Sequence, residues 1–112
     1  METTRQNKIN RLLVKDLTEI FEREFRATFK GYMVTFTKVK ITPDLSIARV
    51  YVSIFTMGDK DEALKMLKEK KNEIRFHLGT RVKNQLRIVP SLEFFIDDSL
   101  DYIEKIDQLL KS

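Results

Sequence analysis

The residues in this sequence best suited to chemistry are cations. Residues 65–87 carry Lys65, Lys68, Lys70, Lys71, Arg75, Arg81, Lys83 and Arg87 against only Glu69 and Glu73, a local net charge of +6. Four cations to each acid is more than i,i+4 pairing along a helix can neutralise. Such a surface attracts a polyanion: Lys and Arg contact phosphate oxygens, and the binding weakens as salt rises because counterions are released. The rival reading is an ordinary solvated helix face. Residues 88–112 reverse the balance, with Lys105 and Lys111 against Glu93, Asp97, Asp98, Asp101, Glu104 and Asp107, a net of −4. A basic centre beside an acidic end gives the chain a preferred orientation towards a polyanion.

The other chemically suggestive residues read more simply. Asp97 and Asp98 are a carboxylate pair, but they precede an apolar helical pattern and have no partnering histidine, so helix capping is the preferred reading. His77, the single histidine, reads as a packing or surface residue. Lys30-Gly31-Tyr32-Met33-Val34-Thr35-Phe36 superficially matches an RNA-recognition box. It fails because Met33 replaces a small residue and Val34 stands where an aromatic should stack. Tyr51 and Phe55, on the off-core face of a strand, are candidates for base stacking, with simple exposure as the rival. No nucleophile triad, phosphate loop or metal-ligand spacing is present, and the chain has no cysteine. No enzyme activity, cofactor, metal or small-molecule substrate is expected.

The elements that must position the cations follow from periodicity. Ile9, Leu12, Leu13, Leu17, Ile20, Phe21 and Phe25 recur at helical spacing. Thr3 with Gln6 can form a capping box, Gly31 offers a stop, and Lys8, Arg11 and Lys15 occupy the polar face. Val34–Ile41 and Ile47–Phe55 read as a hairpin around Thr42-Pro43-Asp44-Leu45-Ser46. Val39 and Ile41 are out of phase with Val34 and Phe36, so a bulge or a late strand start is required. Asp59 can cap a second helical segment. Lys70-Lys71-Asn72 interrupts its apolar stripe, which predicts two helices meeting at an angle. Leu92, Phe94 and Ile96 alternate as a third strand, and Leu100, Ile103, Ile106 and Leu110 predict a last helix. The order is α-β-β-α-α-β-α, a single α+β domain over residues 1–112 with one core. No signal peptide or membrane-spanning run is seen, so a cytoplasmic address and no membrane partner are expected.

Three stretches together carry a resemblance: residues 34–45 running into Ala48-Arg49-Val50-Tyr51-Val52-Ser53; Ile74-Arg75-Phe76-His77-Leu78-Gly79; and Leu86-Arg87-Ile88-Val89-Pro90-Ser91-Leu92-Glu93-Phe94-Phe95-Ile96-Asp97-Asp98-Ser99. Over nearly the whole chain the sequence resembles the bacterial ribosome-binding factor A family. The resemblance implies a K-homology-like fold of the second type, αββααβ with an additional C-terminal helix, a small three-stranded sheet backed by helices, and no GxxG loop. It also implies binding to the maturing small ribosomal subunit and its 16S rRNA, assistance to rRNA processing with the greatest need in the cold, and a monomer off the ribosome. Where the family has a small residue, one further residue and glycine at the helix kink, this chain has Lys70-Lys71-Asn72, so its bend must be made differently.

The expected RNA-binding residues are Lys70, Lys71, Arg75, Arg81, Lys83 and Arg87, with Lys8, Arg11 and Lys15 second. The competing readings are a generic K-homology-like RNA-binding module and a protein-interaction domain unrelated to ribosomes.

Overall fold

The computed structural model describes residues 3–97. Its first helix, α1 (Thr4–Glu24), opens on the expected capping box: Gln6 N–H donates to Thr3 Oγ1 and the Thr3 N–H donates to Gln6 Oε1. These bonds satisfy donors that the first turn otherwise leaves unpaired. The helix ends at Glu24, before Gly31, and the intervening turns still bury Phe25 and Phe29. Gly31 has φ +95°, the left-handed conformation that glycine adopts without a Cβ clash, and it feeds the chain into the sheet.

Strands β1 (Tyr32–Ile41) and β2 (Ile47–Thr56) form an antiparallel hairpin, and β3 (Ser91–Ile96) lies parallel to β2 in the order β1-β2-β3. The phase change expected in β1 is a register shift between Phe36 and Lys38, which leaves Thr37 unpaired in the ladder. That shift lets Phe36, Val39 and Ile41 all face inward. The turn is held by Asp44, whose carboxylate accepts from the Thr42 hydroxyl and from the Ser46 N–H and hydroxyl. These bonds pull the Asp44 pKa down to about 2, with the hydroxyl bond from Thr42 the largest cause.

Helices α2 (Lys60–Glu69) and α3 (Lys71–Val82) cross from β2 to β3, with Asp59 accepting from the Asp61 N–H at the start of α2. Leu13, Leu17, Leu67, Ile74, Leu78 and Val82 from the helices meet Ala48, Val50, Val52, Leu92 and Phe94 from the sheet in one core. Each large side chain so buried contributes roughly 1.5–3 kcal/mol of transfer free energy. Helix α1 lies against β1, α2 against β2 and β3, and α3 against α1 and β3.

Helix α1 also closes one end of an edge strand. Gln6 Nε2 donates to the Ile41 carbonyl at 3.1 Å, and the Ile41 N–H donates to Asn10 Oδ1 at 2.8 Å. Both polar side chains are buried for this reason, since unpaired buried polar groups are costly. The expected last helix lies outside the described residues. Among them, Asp97 follows β3 and its carboxylate accepts from the Thr37 hydroxyl at 2.6 Å.

Candidate nucleic-acid interface

The bend between α2 and α3 is made at a single residue. Lys70 has φ −94° and ψ 3°, and its N–H is shared between the carbonyls of Met66 at 3.0 Å and Leu67 at 3.2 Å. Its own carbonyl accepts from the Ile74 N–H at 3.0 Å and so begins α3. This negative-φ conformation is open to any residue, so the chain turns here without glycine. Lys70 also lies 3.5 Å from Glu73, one turn on, an exposed contact worth little in water.

Beyond the bend, Asn72, Arg75, Phe76, Gly79, Thr80 and Lys83 share one face of α3 and, with Val89, line an open groove of about 650 Å³. Their spacing of three and four residues is that of a helical stripe, opposite the buried stripe of Ile74, Leu78 and Val82. Two smaller clefts continue the groove. One is lined by Lys71, Asn72, Arg75, Ser91 and Leu92, and the other by Lys68, Lys71 and residues 92–95 of β3. The result is a strip running from the end of α3 past the bend to the β3 edge.

The strip is tightly built. Arg75 Nε donates to the Pro90 carbonyl at 3.1 Å and Nη2 to the Val89 carbonyl at 2.7 Å, which fixes its guanidinium beside the loop entering β3. A Cβ on Gly79 would come within 3.1 Å of Val89 Cγ2, so glycine is what lets the loop approach the helix this closely. Among the described residues, Lys68, Lys71, Arg75 and Lys83 have no carboxylate within ion-pairing distance. The three lysines are exposed to solvent, and Arg75 is exposed while two of its donors are held by backbone carbonyls.

The structure therefore divides the cations expected from the sequence. Lys71, Arg75 and Lys83 line the strip, Lys70 forms its bend, and Arg87 is exposed in the loop between α3 and β3. Arg81 is turned away from them. It pairs with Asp16 at 3.3 Å and with Glu19 of α1, and it lies in a different cleft with Ile20 and His77. Arg81's hydrogen bond is the leading cause that holds Glu19 below its ordinary carboxylate pKa, and Arg81 is raised in return. Arg81 thus joins α3 to α1, and we set it apart from the solvent-facing cations. Arg11 and Lys15 line a separate cleft of about 340 Å³ with Lys38, between α1 and β1, while Lys8 is exposed on α1. Because β1 and β3 are opposite edges of the sheet, this second cationic site is remote from the strip.

Several residues of the strip escaped the sequence reading: Phe76, Asn72, Thr80, Val89 and the β3 edge. The signal for the first three is their spacing of four along α3, a stripe that carries no charge. Of the two candidate stacking aromatics on β2, Tyr51 stacks on Phe95 at 5.5 Å with Lys38 Nζ 4.7 Å above its ring, whereas Phe55 is exposed. His77 packs edge-on between Phe25 and Phe76, as a packing residue does. No cluster of potential metal ligands occurs among the described residues, and none of their helices is long and apolar enough to cross a membrane.

An αββααβ order, a sheet with one antiparallel and one parallel pair, and a bent helix pair without a GxxG loop define a K-homology-like domain of the second type. The family model for ribosome-binding factor A matches residues 5–110, and the chain belongs to that family. It is 48% identical over 111 residues to ribosome-binding factor A of Flavobacterium johnsoniae, covering 98% of this chain and 85% of the relative. The crystal structure of ribosome-binding factor A from Thermus thermophilus matches the fold with a TM-score of 0.66 at 24% identity, covering 81% of this chain and 94% of that one. A homology model of the Thermus thermophilus factor, fitted into the cryo-electron-microscopy map of a 30S complex, matches with a TM-score of 0.64 at 25% identity, covering 80% and 91%.

Proposed function

We propose that this protein binds the maturing small ribosomal subunit through its 16S rRNA and assists maturation of that RNA by binding alone. The observation that carries the reading is the strip on α3 and the β3 edge, where Lys68, Lys71, Arg75 and Lys83 face solvent without internal carboxylate partners. The fitted 30S complex of the Thermus thermophilus factor supports the choice of target. A cationic surface of fixed shape stabilises whichever RNA conformation presents phosphates to it, and each tenfold difference in affinity between two conformations shifts their ratio tenfold. Lys71, Arg75 and Lys83 are assigned to phosphate contact, with Lys70 and Arg87 flanking. Arg11, Lys15 and Lys8 form a second contact on the β1 side. The protein acts in the cytoplasm and is a monomer off the ribosome.

A protein-interaction role is favoured by one feature, the exposed Met33, Phe55 and Met57 at one end of the hairpin. Sedimentation of cell extract separates the two readings. Co-migration with free small subunits, and not with translating ribosomes, is expected for the assembly role, while protein remaining at the top of the gradient overturns it. Charge reversal at Lys71 and Lys83 is expected to abolish co-migration.

A further inference from the structure

We infer that Phe76 is a stacking platform for an unpaired RNA base, with the flanking phosphates held by Arg75 and Lys83. The inference rests on the RNA-binding reading and names what the strip recognises: single-stranded or looped RNA in preference to continuous duplex.

Phe76 is 72% exposed in the first turns of α3, a position that core packing does not explain. A lone exposed apolar side chain needs no account, but this one lines the groove of about 650 Å³ on α3. It has Val89 beside it, Asn72 and Thr80 on the same helical face, and cations on either side. An aromatic ring offers a planar apolar surface to any base, whatever its sequence. The rest of the groove suits the remaining parts of a nucleotide. Asn72 carries donors and an acceptor for a base edge or a 2′-hydroxyl, and the Thr80 hydroxyl, which donates to the Phe76 carbonyl at 3.3 Å, keeps its oxygen as an acceptor. The two carbonyl bonds of Arg75 hold its guanidinium in place before any ligand arrives. His77 meets the Phe76 ring edge-on at 5.7 Å, which limits where the ring can swing. Charge complementarity selects the occupant: an apolar peptide segment would gain from Phe76 and Val89 but would have nothing for the neighbouring cations.

The test compares Phe76→Ala, Phe76→Leu and Phe76→Trp with the Lys71→Glu/Lys83→Glu double variant. Each is titrated with purified small subunits, a short single-stranded oligoribonucleotide and a blunt RNA duplex of equal charge. Circular dichroism and thermal melts check that each exposed-site variant is folded. Phe76→Ala is expected to weaken single-strand binding about 5- to 150-fold, the range for loss of one stacked base. Its salt slope is expected to be unchanged, duplex binding unaffected and Phe76→Trp near native. Native single-strand affinity of Phe76→Ala, with loss in the double variant, overturns stacking and leaves the RNA reading standing. Full affinity of Phe76→Leu also overturns stacking, because an aliphatic contact then suffices. Weakened binding of Phe76→Ala to subunits but not to single strands overturns it in favour of a protein contact. If neither Phe76→Ala nor the double variant binds any probe differently from native, both readings fall.

Discussion

Arg81 on α3 donates to the carboxylate of Asp16 on α1 at 3.3 Å, where Asp16 is only 8% exposed. The pair crosses the helix layer and belongs to the fold. Replacing Arg81 by alanine strands a buried carboxylate, which is expected to lower stability by about 1–3 kcal/mol. Urea denaturation measures this, and the salt dependence of RNA binding by the folded variant should match the native slope. A changed slope with native stability would return Arg81 to the proposed RNA contacts.

Lys71 and Lys83 face solvent on the strip, so their neutralisation should act on binding and leave stability untouched. The Lys71→Gln/Lys83→Gln variant is expected to reduce the slope of log affinity against log salt by about 1.4 to 1.8, two phosphate contacts' worth. Lys15→Gln, on the opposite edge, reads out the second site separately. Titrations of small subunits at several salt concentrations check both.

Gly79 and Val89 should be energetically coupled. Alanine is favoured over glycine by about 1 kcal/mol within a helix, but here its Cβ would lie 3.1 Å from Val89 Cγ2. In the native background the gain should be diminished or reversed, and in a Val89→Ala background it should emerge. A double-mutant cycle by denaturation tests this. Equal effects of Gly79→Ala in both backgrounds rule it out.

Asp44 titrates at about 2 in the folded chain, against an ordinary value of 3.8. A carboxyl depressed on folding adds stability that is fully present above 3.8 and is lost as pH falls towards 2. Asp44→Asn should therefore melt below the native protein near neutral pH, with the gap closing between about pH 4 and 2. Thermal melts of the two proteins across that range give the difference. A gap independent of pH contradicts the assignment.

Much of the architecture was legible because it follows from periodicity. The stripe from Ile9 to Phe21 fixed α1, and the phase slip between Phe36 and Val39 announced the bulge at Thr37. Helix α1 ended before Gly31 because Phe25 and Phe29 could be buried from a looser turn, which a helical count does not reveal. The cationic site was only half legible. Charge density located the segment, but Arg81 differs from Lys83 only in which side of α3 it occupies, and its partners are some 60 residues away on α1. The β3 side of the strip joins residues brought together by a parallel pairing that no local pattern announces.

The bend at Lys70 has an entropic consequence. Glycine in a joint leaves the unfolded chain many conformations to surrender and the folded joint freer to flex. A turn made at Lys70, with no glycine in Lys70-Lys71-Asn72, narrows both ensembles, so less ordering remains to be done on binding. Because a smaller ordering entropy shifts ln K without changing its van't Hoff slope, such a joint should raise RNA affinity over that of a joint hinged on glycine by the same factor at every temperature.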